Sequence, residues 1–168
     1  MLKNHLTRFL GFVTLIITII AMLSPFTTLQ TEEDSERETL DFWSFGYTKE
    51  FTFRFQGQSL KVKEAHYLIE IWGGGLPGLI CLSLFIIQLI SIVGLIMFIR
   101  KLTKDFLVVN MVANVLVIII MSGFISYITT ISEYLKLSLG NGYLLTILAT
   151  VVSLITYLTT YKFSTITK

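Results

Sequence analysis

Hydrophobic positions fall into four long runs, and between the first two the pattern switches to strict alternation. The longest run lies between Glu70 and Arg100, and residues 71–99 contain no Asp, Glu, Lys, Arg or His. A helix rises about 1.5 Å per residue and needs about 20 residues to cross the hydrocarbon of a bilayer, so this run predicts a tilted span. We place it over about 72–99, opening on Gly73, Gly74, Gly75, Pro77 and Gly78, which allow a kinked or closely packed start. The first run, about 9–26, follows Lys3, His5 and Arg8. A short basic region before an apolar core fits a span and a signal peptide alike. The length of the run, and Met22 and Leu23 where a cleavage site needs small residues, favour a span that Pro25 ends. Two further runs predict spans over about 106–128 and 143–161, with a short outer loop between them.

The segment 27–71 has a different character. TEEDSERETLD is acidic and lacks apolar periodicity, so it reads as a mobile, solvated spacer. Further on, Phe51, Phe53 and Phe55 alternate with Thr52 and Arg54, and beyond the QGQ turn Leu60 and Val62 alternate with Lys61 and Lys63. That is the signature of a β-hairpin, over about 49–64, with one apolar face. A lone hairpin is marginal in water, so this face needs Trp43, Phe45, Tyr47 and the outer helix ends to pack on, forming a small cap. The same aromatic set, Trp43, Phe45, Tyr47, Phe51, Phe53 and Phe55, is the candidate surface for a partner, or an interfacial belt.

The fold class expected is an all-α membrane protein: one domain over residues 1–168, a four-helix transmembrane bundle with a small extracytoplasmic β-hairpin or sheet in its first loop. Composition agrees, with 14% charged residues against about 25% in soluble domains and a mean hydropathy of +0.76. Charge sets the orientation. Lys3, Arg8, Arg100, Lys101, Lys104, Lys162 and Lys168 gather on one side against Asp105, while the long loop is net acidic. The positive-inside rule then puts both termini in the cytoplasm, in a multi-pass protein of the cell (plasma) membrane.

Within the spans the notable polar residues are Gln88, Asn110, Asn114, Thr146 and Thr150. Asn110 and Asn114 share a helical face, and Thr146, Thr150 and Ser153 form a stripe. These residues either glue helices together or line a polar path. A path requires them to converge on a surface open to another subunit; glue requires them to pair inside one bundle.

Candidate chemistry is sparse. The spans hold no acid or base, and His5 and His66 both lie outside the helix cores, so paired haem ligands are unavailable. The single cysteine, Cys81, permits neither an intrachain disulfide nor a C-x-x-C exchange site. GGGLPG lacks the lysine of a phosphate loop. The basic residues sit in short turns suited to lipid head groups and orientation, not to nucleic acid. The expectation is a non-enzymatic protein with no catalytic residue, cofactor, metal or identifiable small-molecule substrate. Its surroundings are the bilayer, and its partner is another protein or a second copy of itself. The alternative is an accessory subunit of a larger membrane complex, or an oligomeric channel or transporter component.

The layout, with LSPF closing the first span, FWSFGY in the first loop and GNGYLLTILATVVSLI opening the fourth span, resembles the claudin-like tetraspan superfamily, which includes peripheral myelin protein. The resemblance implies the four-span fold. In claudins the first loop carries a tryptophan motif with two disulfide-bonded cysteines; here Trp43 is present and the cysteines are not, so no such bridge is implied.

Overall fold

The computed structural model describes residues 2–33, 36–55, 58–67, 75–131 and 136–164. The chain runs α1 (Leu2–Met22), β1 (Thr27–Glu33), β2 (Glu36–Trp43), β3 (Gly46–Phe55), β4 (Gln58–Tyr67), α2 (Gly75–Lys101), α3 (Lys104–Ile131), β5 (Lys136–Leu139) and α4 (Asn141–Ser164). Each of the four helices contains a stretch long and apolar enough to cross a bilayer. They pack as a ring, α1 on α2, α2 on α3, α3 on α4 and α4 on α1. The reversal between α2 and α3 takes two residues. Leu102 adopts φ 53° and its N–H donates to Phe98 O at 2.7 Å, closing the end of α2.

The strands form one antiparallel sheet in the order β4-β3-β2-β1-β5. The sheet is larger than the hairpin read from alternation. TEEDSERETLD, expected as a mobile spacer, supplies the end of β1 and most of β2, and the short outer loop supplies β5. The expected positions 56–57 of the turn, and 72–74 at the start of the second span, lie outside the described residues.

Register decides what the sheet buries. Facing residues share one side of an antiparallel sheet, so Thr27, Phe42, Tyr47 and His66 lie on one face, followed outward by Leu137, Leu29, Leu40, Lys49 and Glu64. Its inner part packs on the adjoining ends of α2 and α3: Phe26, Leu29 and Phe42 join Cys81, Leu84, Val117, Met121 and Phe124 in one buried cluster, with Leu40, Tyr47 and Leu137 at its margin. The Phe42 and Phe124 rings meet edge to face at 4.9 Å. Burial of side chains this size contributes about 1.5–3 kcal/mol each, enough to dock the sheet on the helices. The opposite face is polar, with Thr28, Thr39, Asp41, Thr48, Glu50, Lys61 and Lys63 in facing pairs or along the same strands.

The sheet is tied to the bundle where α1 ends. Phe26 N–H donates to Phe42 O at 2.7 Å, Gly140 N–H to Phe26 O at 2.9 Å and Gly142 N–H to Pro25 O at 2.8 Å. The LSPF and GNGY stretches, far apart in sequence, therefore meet backbone to backbone.

Candidate functional site

The six aromatic candidates occupy three environments. Trp43 and Phe45 flank the β2–β3 turn at the helix end of the sheet, with ring centroids 5.7 Å apart and both residues half-buried. The turn is pinned there because buried Ser44 donates to Met22 O at 2.8 Å and the Cys81 thiol to Gly46 O at 3.5 Å. Tyr47 belongs to the margin of the buried cluster, and its ring lies 4.9 Å from that of His66, tilted by 34°. Phe51 lies farther out. Phe53 and Phe55 continue β3 beyond it, and their side chains are outside those described.

The core face changes character at Lys49. This lysine makes a 2.9 Å ion pair with Glu38 and sits 4.4 Å above the Phe51 ring. Lys49 and Glu38 thus close off the packed cluster, and beyond them the apolar register resumes with Phe51 facing Val62 and Phe53 facing Leu60. Leu60 is 63% and Val62 39% exposed. They lie on β4, ten residues long and at the edge of the sheet. A strand advances about 3.3 Å per residue, so Phe51 stands roughly 16 Å from the turn at Gly46. Charge is divided as well: residues 27–43 carry Glu32, Glu33, Asp34, Glu36, Glu38 and Asp41 against Arg37, and residues 46–67 carry Lys49, Arg54, Lys61 and Lys63 against Glu50 and Glu64.

The chain matches no protein-family model and no curated protein. Its own geometry carries the functional reading.

The five polar candidates of the helices turn inward, while Ser83, Ser122, Ser126, Thr129 and Thr130 are exposed. Gln88, Asn110, Asn114 and Thr146 are essentially fully buried, and Thr150 is half-buried. Asn110 Nδ2 donates to Ser91 Oγ at 2.5 Å, Ser91 Oγ to Asn114 Oδ1 at 3.1 Å, and Ser153 Oγ to Asn110 Oδ1 at 2.5 Å, which links α2, α3 and α4. Thr146 and Thr150 instead donate to carbonyls of their own helix, Gly142 O and Thr146 O, each at 2.8 Å. On α1, Thr14 and Thr18 do the same and are equally buried. Ser91, Thr14 and Thr18 were not singled out by sequence. Ser91 had a signal, since it follows Gln88 by three residues and shares its helical face.

Outward positions of the same helices are large and apolar, among them Phe9, Phe12, Ile86, Val93, Val112, Ile119, Leu148 and Leu158. A shallow furrow along the seam of α2 and α3 is lined by Ile87, Ile90, Val108, Val109, Val112 and Leu116. Among the described residues no group of three or more His, Cys, Asp or Glu side chains could hold a metal ion.

Proposed function

We propose that this is a multi-pass protein of the cell membrane, with both termini cytoplasmic, that holds a β-sheet outside the bilayer as a contact surface for a protein partner, without catalysis. The membrane setting rests on helices that are apolar outside and hydrogen-bonded inside, the distribution that hydrocarbon surroundings select. Kinship with claudin-like tetraspan proteins is part of the proposal at the level of architecture, on the four-span layout and the LSPF and GNGY stretches of the sequence.

The observation that carries the contact role is the exposure of Leu60 and Val62 at the far end of the sheet. Val62 and Leu60, both exposed, extend the apolar register past the Lys49–Glu38 pair on β4, an edge strand with no outer neighbour among the described residues. An apolar tip flanked by charge of both signs suits a protein surface better than a small ligand. The polar residues of the helices favour glue over a path, because Asn110 and Asn114 bond to Ser91 and Ser153 inside the bundle.

Orientation is tested by cysteine accessibility. In a Cys81→Ala background, Ser59→Cys is expected to react with a membrane-impermeant maleimide on intact cells, and Thr103→Cys only after permeabilisation. The reverse labelling would invert the topology and remove the sheet from the outer face.

A further inference from the structure

The hydrogen bonds of the bundle core run in one direction and stop. Ser153 donates to Asn110, Asn110 to Ser91 and Ser91 to Asn114, so the chain of donors arrives at the Asn114 side chain through its oxygen. The amide nitrogen of Asn114 then has no acceptor among the described residues, and neither Nε2 nor Oε1 of Gln88 has any partner there. Both side chains are almost wholly buried, Gln88 at 0% and Asn114 at 1% exposure. They also belong to one level of the bundle. Gln88 precedes Ser91 by one turn on α2, and Asn114 follows Asn110 by one turn on the antiparallel α3, which places both on the sheet side of the Ser91 and Asn110 pair. On α4 the residue one turn from Ser153 in the same direction is Ala149, fully buried and small.

The unmet groups define their ligand. Two amide nitrogens need acceptors and one amide oxygen needs donors, beside a network that is itself neutral. Residues 9–22, 78–99, 106–131 and 141–161 of the four helices contain no Asp, Glu, Lys, Arg or His, so neither a bare cation nor an anion is matched. Water both donates and accepts, and polar buried sites hold it where apolar ones stay dry.

We infer that Gln88 and Asn114 form a buried water site in the helix bundle. A water there accepts from Asn114 Nδ2 and donates to Gln88 Oε1, completing the chain that begins at Ser153, and Gln88 Nε2 donates to a second. The site gives the bundle a hydrated joint between α2 and α3, beneath the apolar cluster that carries the sheet.

The test is water-edited solid-state NMR on the full-length protein in lipid bilayers, labelled with 15N and 13C and with Gln88 assigned through its backbone correlations. Magnetisation from water is expected to reach Gln88 Nε2 nearly as fast as the exposed side-chain amide of Asn141. Build-up as slow as at the buried Met121 methyl would overturn the site. A thermal-unfolding cycle gives a second readout. Gln88→Leu and Asn114→Leu are each expected to lower the midpoint, and together by less than the sum, because both release the same water. A rise in midpoint for Gln88→Leu would mean that its amide was dry and costly, and would overturn the inference as well.

Discussion

Leucine in place of Gly140 or Gly142 is expected to destabilise the protein by roughly 3 kcal/mol or more, at the upper end of what overpacking costs. The reason lies in what surrounds these glycines. A Cβ on Gly140 would collide with the carbonyl of Pro25, and one on Gly142 would lie 2.6 Å from Ser24 O and 2.9 Å from Ala21 O. Those atoms are backbone at the end of α1, and they cannot rotate aside as a flexible side chain would. The same approach makes the bonds from Gly140 N–H to Phe26 O and from Gly142 N–H to Pro25 O, so displacing α4 also loses the join between helices and sheet. The check is the unfolding midpoint in mild detergent. Gly123→Ala is the control: a Cβ there meets nothing within 4 Å, so helix propensity alone acts, in the stabilising direction and by at most about 1 kcal/mol. Equal behaviour at all three positions would refute the packing argument.

Asn110→Leu is expected to cost about 2 kcal/mol, because it removes the bonds to both Ser91 and Ser153 at once. The loss is bounded, since Ser153 can turn back to a carbonyl of its own helix as Thr146 and Thr150 do. Thr150→Val, which deletes only such a local bond, is expected to change stability by less than about 0.5 kcal/mol. The two variants therefore separate bonds between helices from bonds within one helix. If their midpoints shift alike, the network is not what holds α2, α3 and α4 in place.

The legible parts of this molecule are those written in local pattern. The helices follow from long uncharged runs, and the β3–β4 hairpin from the alternation at 51–55 and 60–63. The β1–β2 pair was hidden because apolar residues mark only its inner end. Leu29, Leu40 and Phe42 meet the core, while farther out the same face carries Thr31 and Glu38, so no apolar alternation marks the strands. They are specified by pairing with β3 and β5, which is non-local information. β5 has the alternation of Leu137 and Leu139 but only four residues, too few to distinguish from a loop.

The candidate residues were legible to a similar degree. The four-residue spacing of Asn110 and Asn114 gave their common face, and the contiguity of the aromatics suggested one patch. Their distribution depends on where the sheet leaves the helices. The turn at Trp43 and Phe45 is held on α1 by Ser44, Tyr47 lies at the core margin, and Phe51 stands beyond Lys49 and Glu38. A strand long enough to outrun its own core produces this separation, and its length against the bundle cannot be read from alternation alone.

The proposed contact between the tip of the sheet and a protein partner is tested most directly by site-specific photocrosslinking in native membranes. A photoreactive phenylalanine analogue would be placed singly at Leu60, Val62, Thr48 and Val112, at matched abundance. The account predicts a discrete protein adduct from positions 60 and 62, none from Thr48 on the polar face of the sheet, and only lipid adducts from Val112 in the α2–α3 furrow. A protein adduct from Val112 with none from 60 or 62 would contradict it and move the interface to the helices, as an accessory subunit requires.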